Sequence, residues 1–318
     1  MQTIAHFNIL ERLGAGALGD VYRARDLKVG RTVALMALPQ ELIADPADRA
    51  RLLADARAAM ALNHPNIATL FDVVEDGDRC YLAYEFAAGP SLRDEMGGRA
   101  VNPRRAVEIA AQITDALSEG HSRRIIHGDL RPENIVVTPK GSVKILNFGL
   151  AAWTTGGRAR RSAASADGLG ADPLGVAGYL SPEQALGGAI DERSDLFSFG
   201  VILQEMIAGR NPFIGQAPAT TVMNVIRLSP PLQAGGSIPA ELSALVTRTL
   251  AKPVDGRPSG ALQVSAELRR IGNAMDTRDG HAPPTELIPP APAKGGSSVW
   301  VAIAVLGALA AAAAWWML

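Results

Sequence analysis

The sequence has one cysteine, Cys80, in 318 residues, so no disulfide can form within the chain. That excludes a disulfide-stapled scaffold and fits a reducing compartment. Neither sign of charge is in surplus. Lys and Arg number 31 against 32 Asp and Glu, a net charge of −1. The basic excess that nucleic-acid binding needs is missing, and the one local cluster, Arg158, Arg160 and Arg161, is too short to supply it. The opening MQTIAHFNILERLG has no basic stretch followed by an apolar run, so no secretory signal is expected. No internal repeat is visible. Aromatic residues are 5% of the chain, and three of the four tryptophans (Trp300, Trp315, Trp316) fall at its end.

What is present allows a folded core. Hydrophobic residues are 47% and charged residues 20%. Residues 299–318, VWVAIAVLGALAAAAAWWML, carry no charge. As a helix this run reaches about 30 Å, the thickness of a bilayer's hydrocarbon core, with tryptophans where interfacial belts lie. A single-pass helix in the cytoplasmic membrane is expected, with the folded unit in the cytoplasm. Residues 274–298 contain Pro283, Pro284, Pro289, Pro290 and Pro292 and end in Gly-Gly-Ser-Ser, which reads as an extended linker. The folded unit is then about residues 5–273. Its first part alternates strand-like runs (7–13, 20–26, 32–38, 67–74, 80–86) around a helical stretch at 45–62. From residue 90 the pattern is helical: 91–97, 103–122, 192–208, 218–227, 239–251 and 260–272. This predicts an α+β, two-lobe arrangement.

Gly14, Gly16 and Gly19 form a G-x-G-x-x-G loop, whose bare backbone can approach phosphate. Strand-like residues follow it, starting at Val21, so a hairpin over a nucleotide fits better than a dinucleotide-binding strand–loop–helix. Further on stand His127-Gly128-Asp129-Leu130-Arg131-Pro132-Glu133-Asn134, then Asn147-Phe148-Gly149, Ser181-Pro182-Glu183, Asp195-Leu196-Phe197-Ser198-Phe199-Gly200 and Gly256-Arg257-Pro258. In this order they resemble the protein kinases, and specifically the bacterial serine/threonine kinases of eukaryotic type, over about residues 7–272.

The resemblance implies a small sheet lobe (about 5–86), a hinge (87–89) and a helical lobe (90–273), with ATP between the lobes. It implies a catalytic set of Asp129 as base, Arg131 as a charge near the transferred phosphate, and Asn134 as a metal ligand. Gly14, Gly16, Gly19, Val21, Ala34, Met36, Glu85, Ala87 and Val136 would surround the nucleotide, with Tyr84 behind the adenine. Glu183 would pair with Arg257, and Asp195 would brace the catalytic loop.

Several positions depart from the family pattern. Met36 stands where its strand lysine holds the α- and β-phosphates, and residues 32–44 contain no Lys or Arg. Asp55 stands where a helix glutamate would meet that lysine; it is either a solvated charge or a residual partner. Asn147 replaces the aspartate that binds Mg²⁺, so Asn134 and Asn147 are a degenerate metal pair. Gly128 replaces the arginine before the base. ATP, if bound, is then held weakly and almost independently of Mg²⁺. The resulting expectation is a membrane-tethered pseudokinase with protein partners in the cytoplasm and no nucleic acid. The alternative is an active kinase in which Lys28, Arg31, Arg23 or Lys144 substitutes for the lysine; of these, Lys144 reads as an exposed strand residue.

Overall fold

The computed structural model describes residues 2–16, 18–150, 152–153, 173–232 and 238–278. Residues 154–172, nearly all of the expected linker and the whole expected span lie outside these residues. Among the described residues no helix is long and apolar enough to cross a membrane.

Six strands, β1 (Thr3–Ile4), β2 (Phe7–Ala15), β3 (Asp20–Asp26), β4 (Thr32–Ala37), β5 (Leu70–Asp76) and β6 (Arg79–Glu85), form one antiparallel sheet in the order β1-β2-β3-β4-β6-β5. Strand residues alternate between faces, and here both faces are apolar. Val33 and Leu35 of β4, with Tyr81 and Ala83 of β6, join one cluster with Phe7, Ala24 and Val74. Met36, Cys80, Leu82 and Tyr84 join another, which Leu52, Leu53, Ala56 and Ala59 complete from a helix. The chain reaches that helix, α2 (Pro46–Ala59), after the short α1 (Gln40–Ile43). Asp45 caps α2 by accepting from the amides of Ala47 and Asp48, and Pro46 opens the first turn.

The second lobe begins with α3 (Leu92–Met96), capped by Ser91, and α4 (Pro103–Ser122), capped by Asn102. In α4 the positions Ala106, Ile109, Ala110, Ile113, Leu117 and Gly120 recur at helical spacing and are buried. A hairpin of β7 (Ile135–Val137) and β8 (Val143–Ile145) follows the catalytic-loop motif. Then come α5 (Pro173–Ala177), α6 (Pro182–Ala185), α7 (Glu192–Ala208), α8 (Pro218–Arg227), α9 (Ala240–Thr249) and α10 (Ala261–Arg278). From Ser194 to Ile207 every residue of α7 is buried, so this helix is the axis of the lobe.

The two-lobe α+β arrangement is as expected. Strand β1, helix α1 and the β7–β8 hairpin are additional, each too short to leave a periodic signal. The expected end at 272 falls one and a half turns early. Helix α10 continues to Arg278 because Met275 is buried and Asp276 takes two hydrogen bonds from Arg104 at 2.5 and 2.8 Å.

Candidate functional site

A cavity of about 490 Å³ opens between the lobes. Leu13, Ala15, Gly16, Val21 and Ala34 line its roof, Met36 and Tyr84 its back, and Glu85, Phe86 and Ala87 its hinge side. Val136 and Leu146 form the floor, and Arg131, Glu133, Asn134, Asn147 and Val176 the far end. Eleven of the expected site residues therefore meet in one cavity, and Asp129 is not among them. Gly14 and Gly19 shape its roof without lining it. A Cβ on Gly19 would lie 2.0 Å from the carbonyl oxygen of Ala37, so only glycine lets the loop close onto β4. Gly16 sits over the thioether at position 36: a Cβ there would lie 3.3 Å from Met36 Cε.

Sheet register fixes what the nucleotide side of the cavity can offer. Met36 pairs with Val21 on one side and Leu82 on the other, so its side chain shares the face that carries Tyr84. It is 5% exposed and packs with Leu52, Ala56, Leu150 and Trp153. Among the described residues, none of those that line the cavity on this face is a cation. The Tyr84 hydroxyl is buried with no partner among the described residues, and burial pushes its pKa far above the usual phenol range. Asp55 is not a free solvated charge. It is half-buried, and its Oδ2 accepts a hydrogen bond from Trp153 Nε1 at 2.7 Å.

The candidate substitutes for the missing lysine are all engaged or remote. Arg23 donates to Glu11 at 2.8 Å and lies against Phe86. Arg31 lies 3.5 Å from Asp26 and over the Phe71 ring. Lys28 is exposed in the β3–β4 turn. Lys144, expected to be exposed, is instead half-buried and pairs with Glu85 at 2.6 Å, because the β7–β8 hairpin tucks beneath the hinge. The one basic residue lining the cavity among the described residues is Arg131.

The catalytic loop is assembled. Asp195 Oδ2 and Oδ1 accept from the amides of His127 and Gly128 at 2.8 and 2.7 Å. Gly128 has φ 69°, where a side chain would be strained, so glycine relaxes the turn before Asp129. The His127 Nδ1 accepts from the Asp129 amide, and Nε2 donates to the Leu146 carbonyl. Burial lowers the His127 pKa and keeps this neutral tautomer. Asn134 Nδ2 donates to the Asp129 carbonyl at 2.8 Å, and Arg131 Nε lies 3.5 Å from Asp129 Oδ1.

The metal end differs. Asn147 has φ 59°, a left-handed conformation that Asn tolerates. Its Nδ2 donates to Asn134 Oδ1 at 3.2 Å. The two expected metal ligands thus bond each other. The Asn134 oxygen that would meet Mg²⁺ already accepts one hydrogen bond, and Asn147 brings no negative charge to the pair. These residues do not fit a divalent cation, and no group of three or more His, Cys, Asp or Glu able to hold a metal occurs among the described residues. The walls Val21, Ala34 and Val136, by contrast, are apolar and lie beside the hinge residues Glu85 to Ala87.

Two further features escaped the sequence reading. Val176, from α5, brings an apolar side chain to the far end of the cavity. Arg93, from α3, donates to Glu133 and Glu205 at 2.7 Å each and also bonds the Tyr179 hydroxyl. The expected Glu183–Arg257 pair is present and bidentate, at 2.8 Å for both bonds. Burial opposes the charge on Glu183, but the bonds from Arg257 and Ser194 outweigh it and hold its pKa at about 2.

Comparison with known proteins agrees with this geometry. The protein kinase domain family matches residues 7–267. The chain is 37% identical over 279 residues to serine/threonine-protein kinase PknB of Mycolicibacterium smegmatis, covering 85% of this chain and 44% of that protein. It is 33% identical over 276 residues to the kinase pkn2 of Myxococcus xanthus, covering 85% of this chain and 33% of that protein. It spans less than half the length of these relatives. The crystal structure of the Mycobacterium tuberculosis PknI kinase domain superposes with a TM-score of 0.63 at 21% identity, covering 85% of this chain and 97% of that one. With the loop, the hinge and the catalytic motif in their places, the chain belongs to the protein kinase family, among the bacterial serine/threonine kinases of eukaryotic type.

Proposed function

We propose that this chain is a membrane-tethered pseudokinase, a kinase-like unit that works by binding and scaffolding in signalling. The observation that carries this reading is the hydrogen bond from Asn147 to Asn134, which spends the metal ligands on each other. The apolar burial of Met36 supports it, because among the described residues no cation lines that face to neutralise the α- and β-phosphates. Phosphoryl transfer rests on positioning and charge neutralisation. Each preorganised charge-stabilising group is worth roughly 10²–10³ in rate, or about 3–4 kcal/mol. Two such losses take a kinase turnover of about 1–100 s⁻¹ to a nearly idle level.

The adenine walls Val21, Ala34 and Val136 remain, so the ligand that fits is a nucleoside or nucleotide held mainly by its base. Partners are proteins of the cytoplasm, and the tether is the apolar run 299–318. The alternative, an active kinase, has to work through Arg131, the cation that lines the cavity.

The test is incorporation of labelled phosphate by the full chain beside its Asp129→Ala variant, with ATP, ADP and adenosine competing for the site with and without Mg²⁺. The expected result is no incorporation above the variant, with near-equal competition that Mg²⁺ does not alter. Robust incorporation that vanishes in Asp129→Ala, or tight ATP binding only with Mg²⁺, refutes the pseudokinase reading.

A further inference from the structure

Helix α2 is held at two points. Near its N-terminus Arg49 pairs with Glu75 of β5. On its third turn Asp55 accepts from Trp153. Trp153 is 1% exposed and heads the largest fully buried side chains of the described residues. Its ring packs in the cluster that contains Met36, Leu52, Ala56 and Leu150. The donor side of the bond is buried and its acceptor is half-buried, and a hydrogen bond to a charged acceptor is a strong one. Asp55 takes part in no ion pair among the described residues.

Residue identity at position 36 is part of the arrangement. The thioether of Met36 is apolar and pliable, and it packs with the indole in one cluster. A cationic side chain at 36 would compete for Asp55. The segment carrying Trp153 is also anchored at its other end, since Asn147 bonds Asn134, and Asn134 bonds Asp129. A chain of hydrogen bonds thus runs from α2 through Trp153, Leu150 and Asn147 to the catalytic loop, using only protein atoms.

We propose that Trp153 and Asp55 form an internal latch that fixes α2 to the segment following Asn147 in the absence of any nucleotide or metal. The latch couples the two lobes through the chain itself. Ligand occupancy of the cavity then has nothing to add to the position of α2, and a partner meets the same surface whether the cavity is filled or not. The inference stands apart from the loss of catalysis, because an enzyme that still turned over could carry the same latch.

The experiment is hydrogen–deuterium exchange on the full chain, comparing the parent with Trp153→Phe, Asp55→Ala and Asp55→Asn. Phenylalanine keeps most of the apolar volume but removes the donor. Alanine removes the acceptor while raising helix propensity, so faster exchange cannot be blamed on a poorer helix former. Asparagine keeps a carbonyl acceptor without the charge. Losing a hydrogen bond to a charged group shifts a local opening equilibrium by about tenfold or more.

Exchange over residues 46–59 and 147–153 is expected to quicken by about that factor in Trp153→Phe and Asp55→Ala, and by less in Asp55→Asn. Protection in α7 stays as in the parent. Adding ATP with Mg²⁺ to the parent leaves residues 46–59 unchanged. Unaltered exchange at 46–59 in Asp55→Ala overturns the proposal. So does equal quickening in α7, which marks Trp153 as a core filler only. Protection of 46–59 that appears only with ATP and Mg²⁺ overturns it as well. Should Trp153→Phe fail to fold, Asp55→Ala, at a half-buried helix position, decides alone. Phosphate incorporation is not read in this assay, so its failure and that of the pseudokinase reading are separate results.

Discussion

Replacing Asn147 by Asp reopens the metal site and measures what closed it. The residue is 5% exposed, with φ 59°, a conformation that both Asn and Asp tolerate, so the backbone is not strained by the change. The substitution removes the donor to Asn134 Oδ1 and leaves two oxygens facing each other across the present 3.2 Å. Leaving buried polar groups unsatisfied costs about 1–3 kcal/mol. For a folded unit of this size each 1 kcal/mol moves Tm by about 2–4 °C. In EDTA, therefore, Asn147→Asp is expected to melt several degrees below the parent. The new carboxylate and the released Asn134 oxygen then offer Mg²⁺ a site. With Mg²⁺ at about ten times its Kd the gain is about 1.4 kcal/mol, a recovery of roughly 3–6 °C. The parent gains nothing from Mg²⁺, and Asn147→Ala melts low with or without it. The assay is a thermal melt of the full chain without nucleotide, with EDTA or Mg²⁺. A parent whose Tm rises with Mg²⁺ alone, or an Asp variant as stable as the parent in EDTA, refutes the reasoning.

Three other outcomes follow from the geometry. Glu183 titrates at about 2 when folded against an ordinary 4.5, so its pairing stabilises the fold above pH 4.5 and is lost as pH falls toward 2. The amount is on the order of 3 kcal/mol, and acid melts of the parent beside Arg257→Ala should show it, with the variant's dependence across that window largely flattened. Gly120→Ala should cost about 1–3 kcal/mol despite its better helix propensity, because its Cβ would lie 2.3 Å from the Phe148 ring, and urea unfolding measures the loss. A chain truncated at Gly296 should leave the membrane fraction, and full retention would show that residues 299–318 are not the tether.

The parts of this site that chemistry ties to short spacing were open to a reader of the sequence. His127 to Asn134 and Asn147 to Gly149 each bring fixed residue types to fixed offsets, and Met36 and Asn147 announce their losses by identity alone. Alternation along β4 and β6 likewise places Met36 and Tyr84 on one face. What could not be read depends on contacts remote in sequence. Trp153 and Asp55 are 98 positions apart, and Arg93 and Glu205 are 112 apart. Neither pair leaves a local pattern. The burial of Lys144 is not legible in sequence, because strand alternation says which residues share a face, and not what covers that face. The polar stretch after residue 273 looked like a linker, since nothing nearby shows that Arg104 awaits Asp276. The self-pairing of the two amides was also hidden, because the sequence reveals which ligand is degenerate and not what the remaining one does instead.

The Arg93 contacts have an electrostatic consequence. Three carboxylates, Asp129, Glu133 and Glu205, gather around Arg93 and Arg131, and of the three Glu133 is the one that lines the cleft. Arg93 is bonded to Glu133 and Glu205, and Arg131 lies 3.5 Å from Asp129 and 3.7 Å from Glu133. Two cations against three anions leave a net charge of about −1, spread over a region already cross-bonded. Such a surface casts little field into solvent, so it cannot draw a basic segment from a distance. Association at this face should then proceed at the unsteered rate of shape-matched encounters, about 10⁵–10⁶ M⁻¹s⁻¹, and change little with ionic strength.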